Sequence, residues 1–170
     1  MVSIVTKGAE SLSDLPLKLD LDLQKPVAFK GGEAGMLVIP DKGLSGEKIA
    51  QAGKEIAPVG QLWMYRVAAA KDGKVVPNSK LRLVTVSDGK KSASVQLYLL
   101  GVRKGEKGPE LVVFGGNKDP LMTLPLEKAE EGQAVPINLS GRKTGDDSGQ
   151  LTLNLLGKYK VDISVMKQEE

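Results

Sequence analysis

The stretch Leu17-Lys18-Leu19-Asp20-Leu21-Asp22-Leu23 sets leucine at every second position with a charged residue between each pair. Successive side chains of an extended chain point to opposite faces, so this alternation predicts a half-buried strand with one wet face. Outward from it, the same period of two, less strictly kept, returns in GMLVIP (35–40), QLWMYRVA (61–68), KLRLVTVS (80–87), SVQLYLL (94–100) and ELVVF (110–114). It continues in LMTLPL (121–126), VPINLS (135–140), QLTLNLL (150–156) and KYKVDISVM (158–166). Clusters of Gly, Pro, Asn and Asp separate these short segments. Such spacing predicts an all-β fold, an antiparallel β-sandwich of roughly nine or ten strands. Pro125 and Pro136 lack the N–H that a ladder requires, so their segments are expected at sheet edges or bulges.

Turn chemistry points to hairpins at Asp72-Gly73 and Asp88-Gly89, because Asp-Gly accepts the positive φ of tight turns. Leu81, Leu83, Leu97 and Leu99 are echoed at constant offset by Ile137, Leu139, Leu153 and Leu155, which pairs two hairpins of similar pattern. The two copies are too few for a repeat architecture. A single short helix is predicted from Ser45 to about Glu55. Ser45 can cap its free N–H groups, Leu44 and Ile49 form a hydrophobic staple around it, and Glu47 favours the helix dipole in the first turn. The 170 residues fit one domain, with residues 1–14 and 167–170 loosely ordered except for a short edge strand at Val2, Ile4 and Val5.

Composition removes much chemistry. The chain holds no histidine and no cysteine, which excludes disulfides, thiolate zinc sites, Ser-His-Asp triads and Cys-His dyads built within it. Its 24 basic residues are interspersed with 21 acidic ones, so the net charge of +3 is too small and too scattered for a nucleic-acid footprint. No run of apolar residues is long enough for a membrane span. The opening MVSIVTKGAESLSD lacks the charged and apolar regions of a signal peptide. Read as a mature form, the chain favours an extracytoplasmic location.

The candidate chemistry is sparse. Asp20 and Asp22 share one strand face, where a solvated surface explains them without an acid–base pair. Asp146 and Asp147 offer hard oxygens but do not match a calcium-loop spacing, and Arg142 and Lys143 beside them oppose a cation. Neither Gly31-Gly32 nor Gly115-Gly116 opens a helix that would hold a phosphate. Ser45 and Lys48 match the letters of a Ser-Lys pair, yet helix capping accounts for both. Asn138-Leu139-Ser140 matches a glycosylation acceptor within a predicted strand.

Trp63 and Tyr65 share one face of their strand. Were that face exposed, it would be an aromatic binding stripe; the apolar character of both faces favours a core position. Binding is then expected in the loops 103–109 and 141–149, through Arg103, Lys104, Arg142 and Lys143. The sequence thus predicts a non-catalytic binding or structural module without cofactor or metal, its partner a protein or a glycan. Two other readings fit the same residues: a carboxylate enzyme of the glycan-active type on a jelly-roll-like sandwich, and a subunit of an assembly paired through β-edges.

Overall fold

The computed structural model describes residues 19–168 apart from 32–33, 72, 78–79, 88–89, 91, 117 and 131–135. In chain order its elements are β1 (Val27–Gly31), β2 (Ala34–Pro40), α1 (Gly46–Ala50), β3 (Ala57–Tyr65), β4 (Val67–Lys71), β5 (Lys74–Val75) and β6 (Arg82–Ser87). There follow β7 (Ser92–Gly105), β8 (Gly108–Phe114), β9 (Pro120–Pro125), β10 (Glu127–Lys128), β11 (Ile137–Lys143), β12 (Ser148–Leu155) and β13 (Tyr159–Lys167). All strand pairs are antiparallel, and they form two sheets packed face to face. The all-β sandwich read from the alternation is the fold observed. Thirteen strands are described rather than nine or ten, because β1, β5 and β10 carry little periodic signal and one predicted strand divides in two.

The first sheet runs β1-β2-β3-β7-β8-β9. Its organising strand is β7, 14 residues long, which pairs along one side with β3. Along its other side it pairs first with β6, where Arg82 opposes Leu97, and then with β8, where Leu99 opposes Phe114. The second sheet runs β11-β12-β13-β4-β5, with β10 added beside the start of β13. The two echoed hairpins therefore lie in different sheets, and their registers differ: Arg82 opposes Leu97, whereas Leu139 opposes Leu153. The hairpin expected between β4 and β5 forms, with Lys71 opposite Lys74 and Gly73 at φ +78°, while Asp72 itself lies outside the described residues. Strands β6 and β7 also form a hairpin, while Asp88 and Gly89 themselves lie outside the described residues. Pro125 closes edge strand β9 and Pro136 precedes edge strand β11, in keeping with their missing N–H groups.

Between the sheets lies the larger core, built from the inward positions of both. Met36, Leu62, Met64, Tyr98, Leu100, Leu111 and Val113 come from the first sheet, and Leu151, Leu153, Val161 and Ile163 from the second. A bulge between Pro58 and Gly60 turns the strand so that Val59 and Leu62, of opposite parity, both face this interior. The opposite face of the first sheet is buried as well. There Leu37, Ile39, Trp63, Leu97, Leu99, Val112 and Phe114 form a second cluster, with Leu19, Leu21, Leu23 and Ile56 packed against it.

That second cluster explains what becomes of the leucine alternation. Leu19, Leu21 and Leu23 do share one apolar side, but the segment is not a strand; among the described residues it makes only the isolated bridge Leu21–Asp41. Asp22 N–H donates to the Pro40 carbonyl and Lys42 N–H to the Asp20 carbonyl, which close the bridge. The next rung on one side would need an N–H from Pro40, which has none. On the other side the Asp41 carboxylate takes the N–H groups of Asp20 (2.7 Å) and Gly43 (2.8 Å), diverting the chain into a turn. Asp20 and Asp22 do not converge: Asp20 lies near Lys42 and Asp22 near Lys25, at 3.8 and 4.0 Å.

Two further expectations are corrected. The helix spans Gly46–Ala50 instead of reaching Glu55; Ser45 Oγ accepts from Lys48 N–H and Ile49 is buried, so the start follows the capping pattern, while Gln51 already leaves helical geometry ahead of Gly53. The segment QLWMYRVA is not one strand. Arg66 has φ +60°, and at this single residue the chain leaves the first sheet as β3 and enters the second as β4. Nothing in the residue types marks the break, since a left-handed arginine is disfavoured locally and is imposed by the two sheets it joins.

Candidate functional site

The end of the sandwich at which β3 stops is where the two sheets fail to close. Along β11 the inward positions read Ile137, Leu139, Gly141 and Lys143; along β13 they read Val161, Ile163, Val165 and Lys167. Cross-strand register aligns them: Gly141 opposes Leu151, which opposes Ile163, and in the next row Lys143 opposes Gly149, which opposes Val165. Lys167 opposes Val67. Small residues thus stand where leucines stand deeper in the sheet. On the facing sheet the last inward position of β2 is likewise small, Ala34, after Met36 and Val38.

The unfilled space is a cavity of about 860 Å³, within the ~300–1,000 Å³ range of small-molecule sites. Its floor is the buried apolar surface of Met36, Val67, Leu151 and Val165. Phe29 of edge strand β1 forms one wall and lies over edge strand β11 where Gly141 has no side chain. A Cβ there would stand 2.9 Å from the Phe29 ring, so this approach of the two sheet edges depends on glycine. Four basic side chains, Arg66, Arg142, Lys143 and Lys167, and two acidic ones, Asp146 and Asp147, ring the mouth.

The mouth is held by the backbone. In the β11–β12 turn, Thr144 and Gly145 N–H donate to the Ser148 carbonyl, and Thr144 Oγ1 bonds Ser148 Oγ at 3.0 Å. Lys167 N–H donates to the Asp147 carbonyl (2.7 Å) and Gln168 N–H to the Arg66 carbonyl (3.0 Å). Of the C-terminal residues expected to be loose, Lys167 and Gln168 thus each have a backbone partner; 169 and 170 lie outside the described residues, as do 1–18. Arg66 Nε–H donates to Tyr65 Oη (3.1 Å), and its guanidinium sits 5.4 Å over the Tyr65 ring centroid. Arg142 donates from Nε to Gln150 Oε1 across the strand pair at 2.8 Å, and both residues line the cavity. Among the described residues no ion pair neutralises Lys143 or Lys167.

A polar chain runs from this end into the core. Tyr98 Oη accepts from Ala69 N–H (3.0 Å) and donates to Gln96 Oε1 (2.5 Å), and Gln96 Nε2 donates to Gln168 Oε1 at the cavity. Burial pushes the Tyr98 phenol well above its ordinary range, against the smaller downward pull of the Ala69 N–H.

The residues singled out from sequence are split by the fold. Arg142 and Lys143 belong to this cavity. Arg103 and Lys104 lie at the opposite end of β3, lining a second depression of about 810 Å³ with Lys54, Glu106, Lys107 and Glu110. There Arg103 is paired with Glu110 across the β7–β8 pair, Nε to Oε1 at 2.8 Å. Trp63 is fully buried on the outer face of the first sheet and donates from Nε1 to Gln61 Oε1 at 3.2 Å; Tyr65 is half-buried beside it. Both strand faces are covered, so an exposed aromatic stripe does not exist. Sequence reasoning missed Phe29, Arg66 and Lys167, of which only Lys167 carried a signal, as the charged residue that ends the inward apolar series of β13.

Asp146 and Asp147 are adjacent on an exposed turn, and among the described residues no group of three or more acidic, His or Cys residues gathers as a metal site. Excess Ca²⁺ is expected to leave the melting temperature unchanged in a calorimetric scan. Occupancy at 100 times Kd would add ~2.7 kcal/mol, so a clear upward shift would establish a calcium site at this turn.

No described helix is long and apolar enough to cross a membrane. Comparison with protein-family models, with curated proteins and with solved structures found no match for this chain.

Proposed function

We propose that the chain is a non-catalytic binding module whose ligand seat is the open end of the sandwich bounded by Phe29, Lys143 and Lys167. The cavity carries this reading: a concave space with an apolar floor and a few polar groups at its mouth has the form in which proteins hold small molecules. Its size and concavity favour a small ligand over the protein or glycan partner expected from the sequence. The carboxylates at the mouth, Asp146 and Asp147, are neighbours on one turn. A glycan-active pair would stand on opposite walls of a cleft with the scissile bond between. Edge pairing into an assembly is opposed at β9, which Pro120 and Pro125 bracket, and at β11, where Arg142 and Lys143 place charge on the edge strand.

The test is a fragment screen followed by amide chemical-shift mapping on the whole chain. Hits are expected to perturb residues of β1, β2, the β11–β12 turn and the end of β13, and to lose their effect when Ala34→Phe fills the mouth. Shifts confined to the Arg103–Glu110 end would place the seat elsewhere, and a folded protein that binds no fragment would overturn the reading.

A further inference from the structure

Resting on that reading, we infer that the cavity takes a single-chain amphiphilic anion, its apolar tail on Met36, Val67, Leu151 and Val165 and its head at the Lys143–Lys167 rim. The observation behind this is where the two lysines stand. Their parity along β11 and β13 is that of the core: Lys143 continues Ile137, Leu139 and Gly141, and Lys167 continues Val161, Ile163 and Val165. A lysine at an outward register position of a sheet needs no explanation, whereas Lys143 and Lys167 stand at inward register positions, exposed at the open end, and among the described residues neither has an ion pair, which places positive charge above an apolar floor.

An inward charge on an edge strand also guards against edge pairing, which accounts for Lys143 in β11. It does not account for Lys167, because β13 is interior to its sheet, flanked by β12 and β4. The backbone further fixes Lys167 at the mouth, through its N–H to the Asp147 carbonyl. Among the described residues of the rim, Lys143 and Lys167 carry charge that no ion pair offsets, and that charge favours an anion. The floor side chains are Met, Val and Leu, which suit an apolar chain, while the polar lining residues Ser148, Gln150 and Gln168 lie outside that floor. Apolar floor and cationic rim together select a molecule that is apolar along most of its length and anionic at one end.

Isothermal titration of the full chain with decanoate, decan-1-ol and decylamine, each kept monomeric, separates the parts of this inference. Decanoate is expected to bind, with decan-1-ol at least ~10-fold weaker and decylamine weaker still. In Lys143→Gln/Lys167→Gln, decanoate is expected to fall to the affinity of the alcohol, while the alcohol itself is unchanged. In Ala34→Phe all three are expected to be lost with the fold intact by circular dichroism. Equal binding of acid and alcohol by the wild-type chain would overturn the anion assignment and leave the cavity as ligand seat. Failure of all three ligands, in a protein whose fragment hits map to this cavity, would overturn the amphiphile class. Binding that Ala34→Phe leaves untouched would place any amphiphile site elsewhere.

Discussion

Replacing Trp63 by alanine is expected to lower the unfolding free energy by ~3–5 kcal/mol, among the largest effects of any single truncation here. The indole is fully buried in the second cluster, between Leu37 of β2 and Leu97 of β7 in register, and its N–H is satisfied by Gln61. Truncation removes its apolar burial and leaves a cavity that the surrounding strands cannot collapse, because the same strands are fixed by the main core on their other side. It also leaves the Gln61 amide oxygen without its donor in a buried place. Chemical denaturation of the variant measures the loss. As the only tryptophan of the chain, Trp63 reports on itself: emission at short wavelength and resistance to iodide or acrylamide are expected of the native protein. A red-shifted, freely quenched emission, with stability within ~1 kcal/mol of wild type after truncation, would mean that this face is open to solvent.

The second large effect is expected from Tyr98→Phe, at ~1–3 kcal/mol from removal of a single oxygen. That oxygen accepts the Ala69 N–H of the second sheet and donates to Gln96 of the first, so its loss leaves both groups buried and unpartnered. Faster hydrogen exchange at the Ala69 amide is the local signature. The same phenol carries a pH dependence with a definite sign. Its folded pKa is raised above the unfolded value of 10.0, so its contribution is fully present below pH 10. It is lost as the pH rises from the unfolded toward the folded pKa, since over that window the unfolded chain ionises and the folded one does not. The stability should fall there by ~1.4 kcal/mol per pH unit from this group. Tyr98→Phe removes that component, and an alkaline profile identical in wild type and variant would contradict the assignment.

The parts of the fold legible in the sequence are those where one strand face is wet. In β13, buried Val161, Ile163 and Val165 alternate with exposed Asp162 and Ser164, and the strand is read correctly almost to its ends. In β7 the residues Val95 to Leu100 are all buried, three toward each cluster apart from Gln96 among the inward ones, so periodicity fades although the strand is the longest. The leucine alternation at Leu19, Leu21 and Leu23 does mark an apolar side, but periodicity does not report whether backbone partners exist; Pro40 and Asp41 remove them. Arg66 gives no sign of the sheet crossing because its conformation is set by tertiary structure. Of the residues that line the proposed seat, loop position points to Arg142 and Lys143. The floor residues look like any core residue, and a cavity arises only from the register that brings Gly141, Gly149 and Ala34 to one end.

Because the first sheet is covered on both sides and the second, outside β4, mostly on one, the two sheets are unequal in the variation they can accept. A substitution drawn at random along Val95–Leu100 meets packed neighbours whichever way the side chain points. In β13, by contrast, exposed Ser164 can change in size and charge at little cost, while Thr152 and Asp162 are tied to each other, Oγ1 to Oδ1 across the strand pair at 2.5 Å. The first sheet is in effect the frozen half of the molecule, holding Arg66 and the β2 wall in place. The second, joined to it at Arg66 and ending in an exposed turn, is the half on which a lineage can rewrite the rim of the cavity without refolding the protein.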